Sequence, residues 1–298
     1  METFGEHDIA NGPLRGTLAL PRSRTQAPLV LILSGSGPVD RDGNLPHARN
    51  DSLKLLAHGL AARGTATLRI DKRGIAASAA GSGREEDLRF GTYVDDALSW
   101  LDVLTARARA AGLSPGPVFL IGHSEGALVA TLAARRAAVD GLILIAGAGR
   151  PACAVVARQL EDAGVPEMLR ARSGRICAAL ERGEPAADVP PELAALYRPS
   201  VQPYLMSWLP LDPAAALAQV SVPVLVVQGT HDLQISMADA ERLAAARPAA
   251  RLVPVPGMNH VLKTAPAARD ANLATYMNPA LPLAAALVPT LADFITAR

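Results

Sequence analysis

Gly122-His123-Ser124-Glu125-Gly126 sets a serine between two glycines, directly after an apolar run at residues 118–121 and before a helix-compatible stretch at 127–136. The chemistry this pattern suits is nucleophilic. A turn from strand to helix that is tight enough to need small residues on both sides presents its serine hydroxyl above a sheet in a strained conformation. That hydroxyl attacks poorly until a neighbouring imidazole takes its proton, so a histidine downstream is required. His260 meets the requirement, in a loop after an apolar run at 251–255. His7, His47 and His58 read as surface or packing residues, and His123 as a support of the serine turn. The imidazole needs a carboxylate to orient its far nitrogen and to stabilise the imidazolium. Asp232, in the turn after the run at 224–228, is the candidate. Asp239 and Asp270 are the alternatives, since aspartate favours turns for its own sake.

Positioning these residues takes a series of strand ends. Apolar runs at 29–33, 66–70, 118–121 and 141–146 are each followed by a glycine-containing turn, and those at 224–228 and 251–255 continue the series. They alternate with helix-period stretches, the pattern of βαβ units in a mostly parallel, doubly wound α/β sheet. Residues 14–20 alternate as an antiparallel strand at the sheet's start. Phe90, Val94, Ala97, Leu101 and Leu104 fall on one face of a crossover helix. Leu53, Leu56 and Leu60 do the same after an Asp51 or Ser52 cap, and Leu287, Leu291 and Phe294 mark a closing helix that Pro289 starts or kinks. Residues 150–213 break the alternation with short helices punctuated by prolines, among them Pro190 and Pro191. The expected organisation is a core of residues 1–149 and 214–298 carrying an inserted helical cap at 150–213.

With these segments in hand, the chain resembles the α/β-hydrolase superfamily, and within it bacterial esterases and serine-aminopeptidase-like hydrolases with a helical cap. The resemblance rests on the serine turn, Gln228-Gly229-Thr230-His231-Asp232 and Gly257-Met258-Asn259-His260, in the order serine, acid, histidine. Ser34-Gly35-Ser36-Gly37-Pro38, Asp40-Arg41-Asp42-Gly43-Asn44 and Asp71-Lys72-Arg73-Gly74 add to it. It implies an oxyanion hole formed by the Ser36 and Glu125 backbone N–H groups.

The remaining residues exclude more than they add. Lys plus Arg (29) nearly balances Asp plus Glu (28), which removes the basic excess a nucleic-acid or anionic-membrane partner would require. Half the residues are hydrophobic and only 3% aromatic, so the core should be aliphatic. No apolar run approaches the roughly 20 residues of a membrane span, and residues 1–12 lack a secretory signal pattern, so a cytoplasmic protein is expected. G-K-[ST] and HExxH patterns are absent, so neither a nucleotide, another cofactor nor a catalytic metal is expected. Asp40, Arg41, Asp42 and the segment 71–74 read as charges that tie loops internally. Tyr204, Met206 and Trp208 could line an acyl pocket or form cap core. Cys153 and Cys177, without CxxC or metal spacing, read as two reduced thiols, with a disulfide between them as the alternative.

The sequence thus describes a serine hydrolase that cleaves a carboxylic ester or related acyl bond of a small molecule with water through an acyl-enzyme. An aminopeptidase or amidase, and a non-catalytic ligand-binding protein on the same fold, stand beside it as alternatives. The oligomeric state is not legible.

Overall fold

Leu29, Val30, Leu31 and Ile32 are consecutive in one strand and all buried, so that strand has apolar partners on both faces. The computed structural model describes residues 3–22, 24–81 and 83–297. Its eight strands are β1 (Phe4–Asn11), β2 (Leu14–Pro21), β3 (Gln26–Leu33), β4 (Ala66–Ile70), β5 (Ser114–His123), β6 (Gly141–Ile145), β7 (Val224–Gly229) and β8 (Arg251–Val255). They form one sheet in the order β1-β2-β4-β3-β5-β6-β7-β8. β1 and β2 make an antiparallel hairpin and β2 runs antiparallel to β4, while all later pairings are parallel.

The chain alternates side chains across this sheet. Val30, Ile32, Phe119 and Ile121 point to one face, where α1 (Ser52–Ala61) and a C-terminal helix pack. Leu29, Leu31, Leu120 and Leu142 point to the other, against α2 (Phe90–Ala110) and α3 (Glu125–Ala134). The path from β3 outward to β4 uses α1 on the first face, and the return to β5 uses α2 on the second. The carboxyl ends of β3 and β5 therefore flank a topological switch point, where α/β sheets open a crevice.

The β6–β7 connection carries α4 (Ala152–Asp162), α5 (Glu167–Glu181), α6 (Ala194–Tyr197), α7 (Gln202–Trp208) and α8 (Pro213–Leu217). α9 (Met237–Ala246), α10 (Arg269–Ala274) and α11 (Leu287–Thr296) complete the chain. No helix among the described residues is long and apolar enough to cross a membrane.

Three expectations are corrected here. Cys153 and Cys177 are not thiols but a disulfide, with Cα atoms 5.9 Å apart. Packing of α4 on α5 brings together residues 24 apart in sequence, which motif spacing does not reveal. Asp51 occupies the position before α1, but at φ 53° its carboxylate does not cap the helix and instead accepts from Asn44 and Arg49. The sheet also begins one strand earlier than residues 14–20 suggest: in β1 only Ile9 is buried and the rest are exposed or half-buried, so it carries little apolar pattern to read.

Candidate active site

Ser124 follows β5 directly at φ 55°, in the left-handed region a serine rarely adopts. Its N–H donates to the Ile145 carbonyl (2.9 Å) and its carbonyl accepts from Ala127 N–H (3.0 Å), so both neighbours hold the turn. The flanking glycines are obligatory. A Cβ on Gly122 would lie 2.2 Å from the Gly126 carbonyl oxygen, and one on Gly126 2.4 Å from that of Leu33. The close approach leaves Ser124 half-buried, and among the described residues its Oγ has no hydrogen bond.

Asp232 stands beyond the end of β7, and His260 in the loop after β8. The His260 Nδ1–H donates to Asp232 Oδ2 at 2.9 Å. Oδ2 also accepts from Gln228 Nε2 at 3.2 Å, and Oδ1 accepts from the Gln234 and Ile235 N–H groups at 2.8 and 3.0 Å. Burial works to raise the Asp232 pKa, but His260 and the Ile235 and Gln234 N–H groups outweigh it and hold the carboxyl below its ordinary value. Asp239 and Asp270 make no such contact. The first closes the capping box of α9 and pairs with Arg150, and the second opens α10 on the surface.

The His260 loop is fixed from below by Asn259, which is fully buried and donates to Asn272 Oδ1 and Thr275 Oγ1 at 3.0 and 2.7 Å. It is fixed from the serine side by His123, whose Nε2 lies 2.8 Å from the His260 carbonyl oxygen. A carbonyl only accepts, so His123 carries its proton on Nε2. Burial, together with the neighbouring His260, pushes the His123 pKa down to about 3, keeping the ring neutral. The two rings are 4.8 Å apart, which seats the His260 ring beside the serine turn while its Nε2 carries no hydrogen bond.

On the opposite side, the turn after β3 presses on the nucleophile: a Cβ on Gly35 would lie 3.1 Å from Ser124 Cβ. Among the described residues, neither the Ser36 N–H nor the Glu125 N–H has an acceptor. A cavity of about 570 Å³ opens next to them, with Gly37, Lys72, Tyr93, Glu125, Val201 and Tyr204 on its walls. Burial raises the Glu125 pKa, with Lys72 opposing, and burial lowers that of Lys72, with Glu125 opposing. No group of three His, Cys, Asp or Glu residues among those described is placed to hold a metal.

Of the three α7 residues expected near an acyl group, Tyr204 alone reaches the cavity wall. Trp208 stacks on Phe90 with centroids 5.9 Å apart and rings 12° from parallel, and Met206 packs against the core. Tyr204 and Trp208, four residues apart on one helix, both meet Phe90, which draws the indole inward. The loop charges do bind internally: Asp40 accepts from Asp42 and Asn44 N–H, Arg41 holds Asp71, and Arg73 holds Asp96. Lys72 departs from that pattern. Its Nζ donates to the Gly35 carbonyl oxygen, inside the site rather than on its rim. The available signal was its place just past the end of β4, two strands from the β5 that carries the serine.

Residues 30–274 match the model of a family described as the alpha/beta hydrolase family. The chain belongs to that family. Among its relatives is esterase EstD of Thermotoga maritima, 28% identical over an alignment of 247 residues that covers 80% of this chain and 55% of the relative. The chain thus spans little more than half the length of that curated relative. As an alpha/beta hydrolase it also superposes on Est1E from Butyrivibrio proteoclasticus with a TM-score of 0.58 and 18% identity, covering 99% of this chain and 100% of the other. Carboxyl esterase 2 from the fungus Tuber melanosporum gives a TM-score of 0.60 and 16% identity, over 100% and 87% of the two chains. These likenesses are likenesses of fold.

Proposed function

We propose that this alpha/beta hydrolase cleaves a carboxylic ester or related acyl bond of a small molecule through an acyl-enzyme on Ser124. The observation that carries the reading is the 2.9 Å bond from His260 Nδ1–H to Asp232, in a loop that His123 ties to the strained serine turn. With Nδ1 so engaged, Nε2 is the basic nitrogen of the neutral ring. Ser124 Oγ bonds to the acyl carbon as its proton passes to His260 Nε2, and the carbonyl electron pair moves onto oxygen. The Ser36 and Glu125 N–H groups receive that oxyanion. Its collapse breaks the bond to the alcohol, which leaves with the proton from His260. Water then repeats the sequence against the acyl-serine and returns the free acid and Ser124.

Residues 150–213 act as a cap in this reading, since Arg198 and Val201 from that segment line the cavity with Glu85 and Leu88, and Arg198 pairs with Glu85. The bounded space suits short and medium acyl groups. Esterase names among the relatives support an ester over an amide substrate.

The test is covalent labelling by a fluorophosphonate, with Ser124→Ala as control. Wild type should label at Ser124 and turn over p-nitrophenyl esters, and Ser124→Ala should do neither while keeping the native melting temperature. Full turnover by Ser124→Ala overturns the proposal, and an unlabelled, inactive wild type favours a ligand-binding protein.

A further inference from the structure

Lys72 has no role in the acyl transfer just described, yet it enters the same cavity. Its ammonium donates to the Gly35 carbonyl oxygen and lies 5.6 Å from the centroid of the Tyr93 ring, an arrangement in which the ring face attracts a cation. The Glu125 carboxyl stands on the same wall and is electrostatically coupled to it.

The Gly35 carbonyl and the Ser36 N–H belong to one peptide group. A peptide is planar, and in the trans form, the only form among the described residues, its C=O and N–H point in opposite directions. Whatever fixes the oxygen therefore fixes the direction of the hydrogen. This peptide needs fixing, because Gly35 on its carbonyl side carries no Cβ and opposes a peptide flip weakly. It also abuts the nucleophile, as the 3.1 Å approach of a Gly35 Cβ to Ser124 Cβ records.

We propose that Lys72 is a positioning residue for the oxyanion hole: by clamping the Gly35 carbonyl it aims the Ser36 N–H at the oxygen that gains charge over Ser124. The inference rests on the acyl-enzyme reading above. A cation on the carbonyl also polarises the peptide group and strengthens its N–H as a donor, the direction in which linked hydrogen bonds reinforce one another. Glu125 borders the same cavity as Lys72, and its backbone N–H is the second donor.

Lys72→Met keeps the apolar stem and removes the clamp. On p-nitrophenyl butyrate it should lower kcat by about 10²–10³, the usual loss on removing one oxyanion donor, with KM changed less than about threefold. A trifluoromethyl ketone, which forms an anionic hemiketal with the serine, should bind more weakly in proportion to the loss in kcat/KM. Lys72→Arg, which keeps charge and donor, should recover at least about tenfold of both. A merely structural role would lower the melting temperature and leave the proportion between inhibitor affinity and kcat/KM unmet. Unchanged kcat in Lys72→Met overturns the clamp. If that variant does not fold, Lys72→Arg carries the test, and a fall in its kcat with unchanged ketone affinity overturns it. Fluorophosphonate labelling of the wild type separates the two readings. A labelled Ser124 with an indifferent Lys72 overturns the clamp alone, whereas an unlabelled Ser124 overturns both.

Discussion

The ring of His123 and the backbone of His260 share a hydrogen bond of 2.8 Å, so the residue before the nucleophile holds the loop of the candidate base. The bond survives in either protonation state of His123, since Nε2 keeps its hydrogen in both, but burial pushes the ring's pKa down to about 3 and keeps it neutral. In the unfolded chain the ring titrates near the ordinary value of about 6.5, so between these values the unfolded state takes up the proton first. Stability must then fall as pH drops through that window, by at most about 1.4 kcal/mol per pH unit from this residue. His123→Gln, which keeps a donor and does not titrate, should lose that slope. Urea unfolding at pH 7 and pH 5 should show wild type losing roughly 2 kcal/mol more than the variant. Parallel losses would show that His123 does not titrate as argued. The carboxylates held low, such as Asp232 and Asp239, act at lower pH and leave this interval clear.

Asp232→Asn should leave Ser124 in place but replace the acceptor of the His260 Nδ1–H. A fall in kcat of up to about 10⁴ is expected by analogy with serine protease triads, with KM changed only a few-fold. Steady-state kinetics on a p-nitrophenyl ester measures it. Near-normal turnover would remove Asp232 from the proposed triad, and the structure offers neither Asp239 nor Asp270 in its place.

Two glycine substitutions should separate folding from chemistry. Gly126→Ala places a Cβ 2.4 Å from a backbone oxygen that cannot retreat, and should cost about 3 kcal/mol or more. Gly35→Ala meets the movable Ser124 side chain at 3.1 Å, so it should spare the melting temperature and lower kcat by about tenfold or more. Equal melting temperatures for the two would contradict the packing described for the serine turn.

Trp208 and Val201 should also part company. Trp208→Ala removes the partner of Phe90 and should destabilise by about 3 kcal/mol, leaving the preferred acyl length where it was. Val201→Phe fills the cavity wall and should shift the optimum to shorter chains with little change in stability. Chain-length profiles of p-nitrophenyl esters and thermal melts distinguish them. A profile moved by Trp208→Ala alone would reverse the assignment.

Ser124, Asp232 and His260 were legible because each stands after a strand of recognisable apolar run, and each chemical role admits few residue types. The doubly wound sheet was legible for the same reason, since strands buried on both faces leave unbroken aliphatic runs such as 29–33. Lys72 was not, because a lysine in a charged turn looks solvated and its acceptor is a backbone oxygen 37 residues away, a kind of contact that side-chain identities do not encode. The Cys153–Cys177 bond and the inward turn of Trp208 depend on helix packing and helix rotation, which tertiary contacts decide. β1 was missed because an edge strand with one buried residue has no core to announce it.

Because parallel strands bring their carboxyl ends to one edge, the site is gathered from distant stretches of chain, and His260 lies 136 residues after Ser124 (260 − 124). At the ~5–20 residues per second of protein synthesis, roughly 7 to 30 seconds separate the emergence of the serine from that of its base. Throughout that interval the half-made chain holds an unactivated hydroxyl, inert toward any ester it meets. Under the acyl-enzyme reading, catalysis is a timestamp of completion: a chain cut short anywhere before β8 carries no hydrolytic activity into its surroundings.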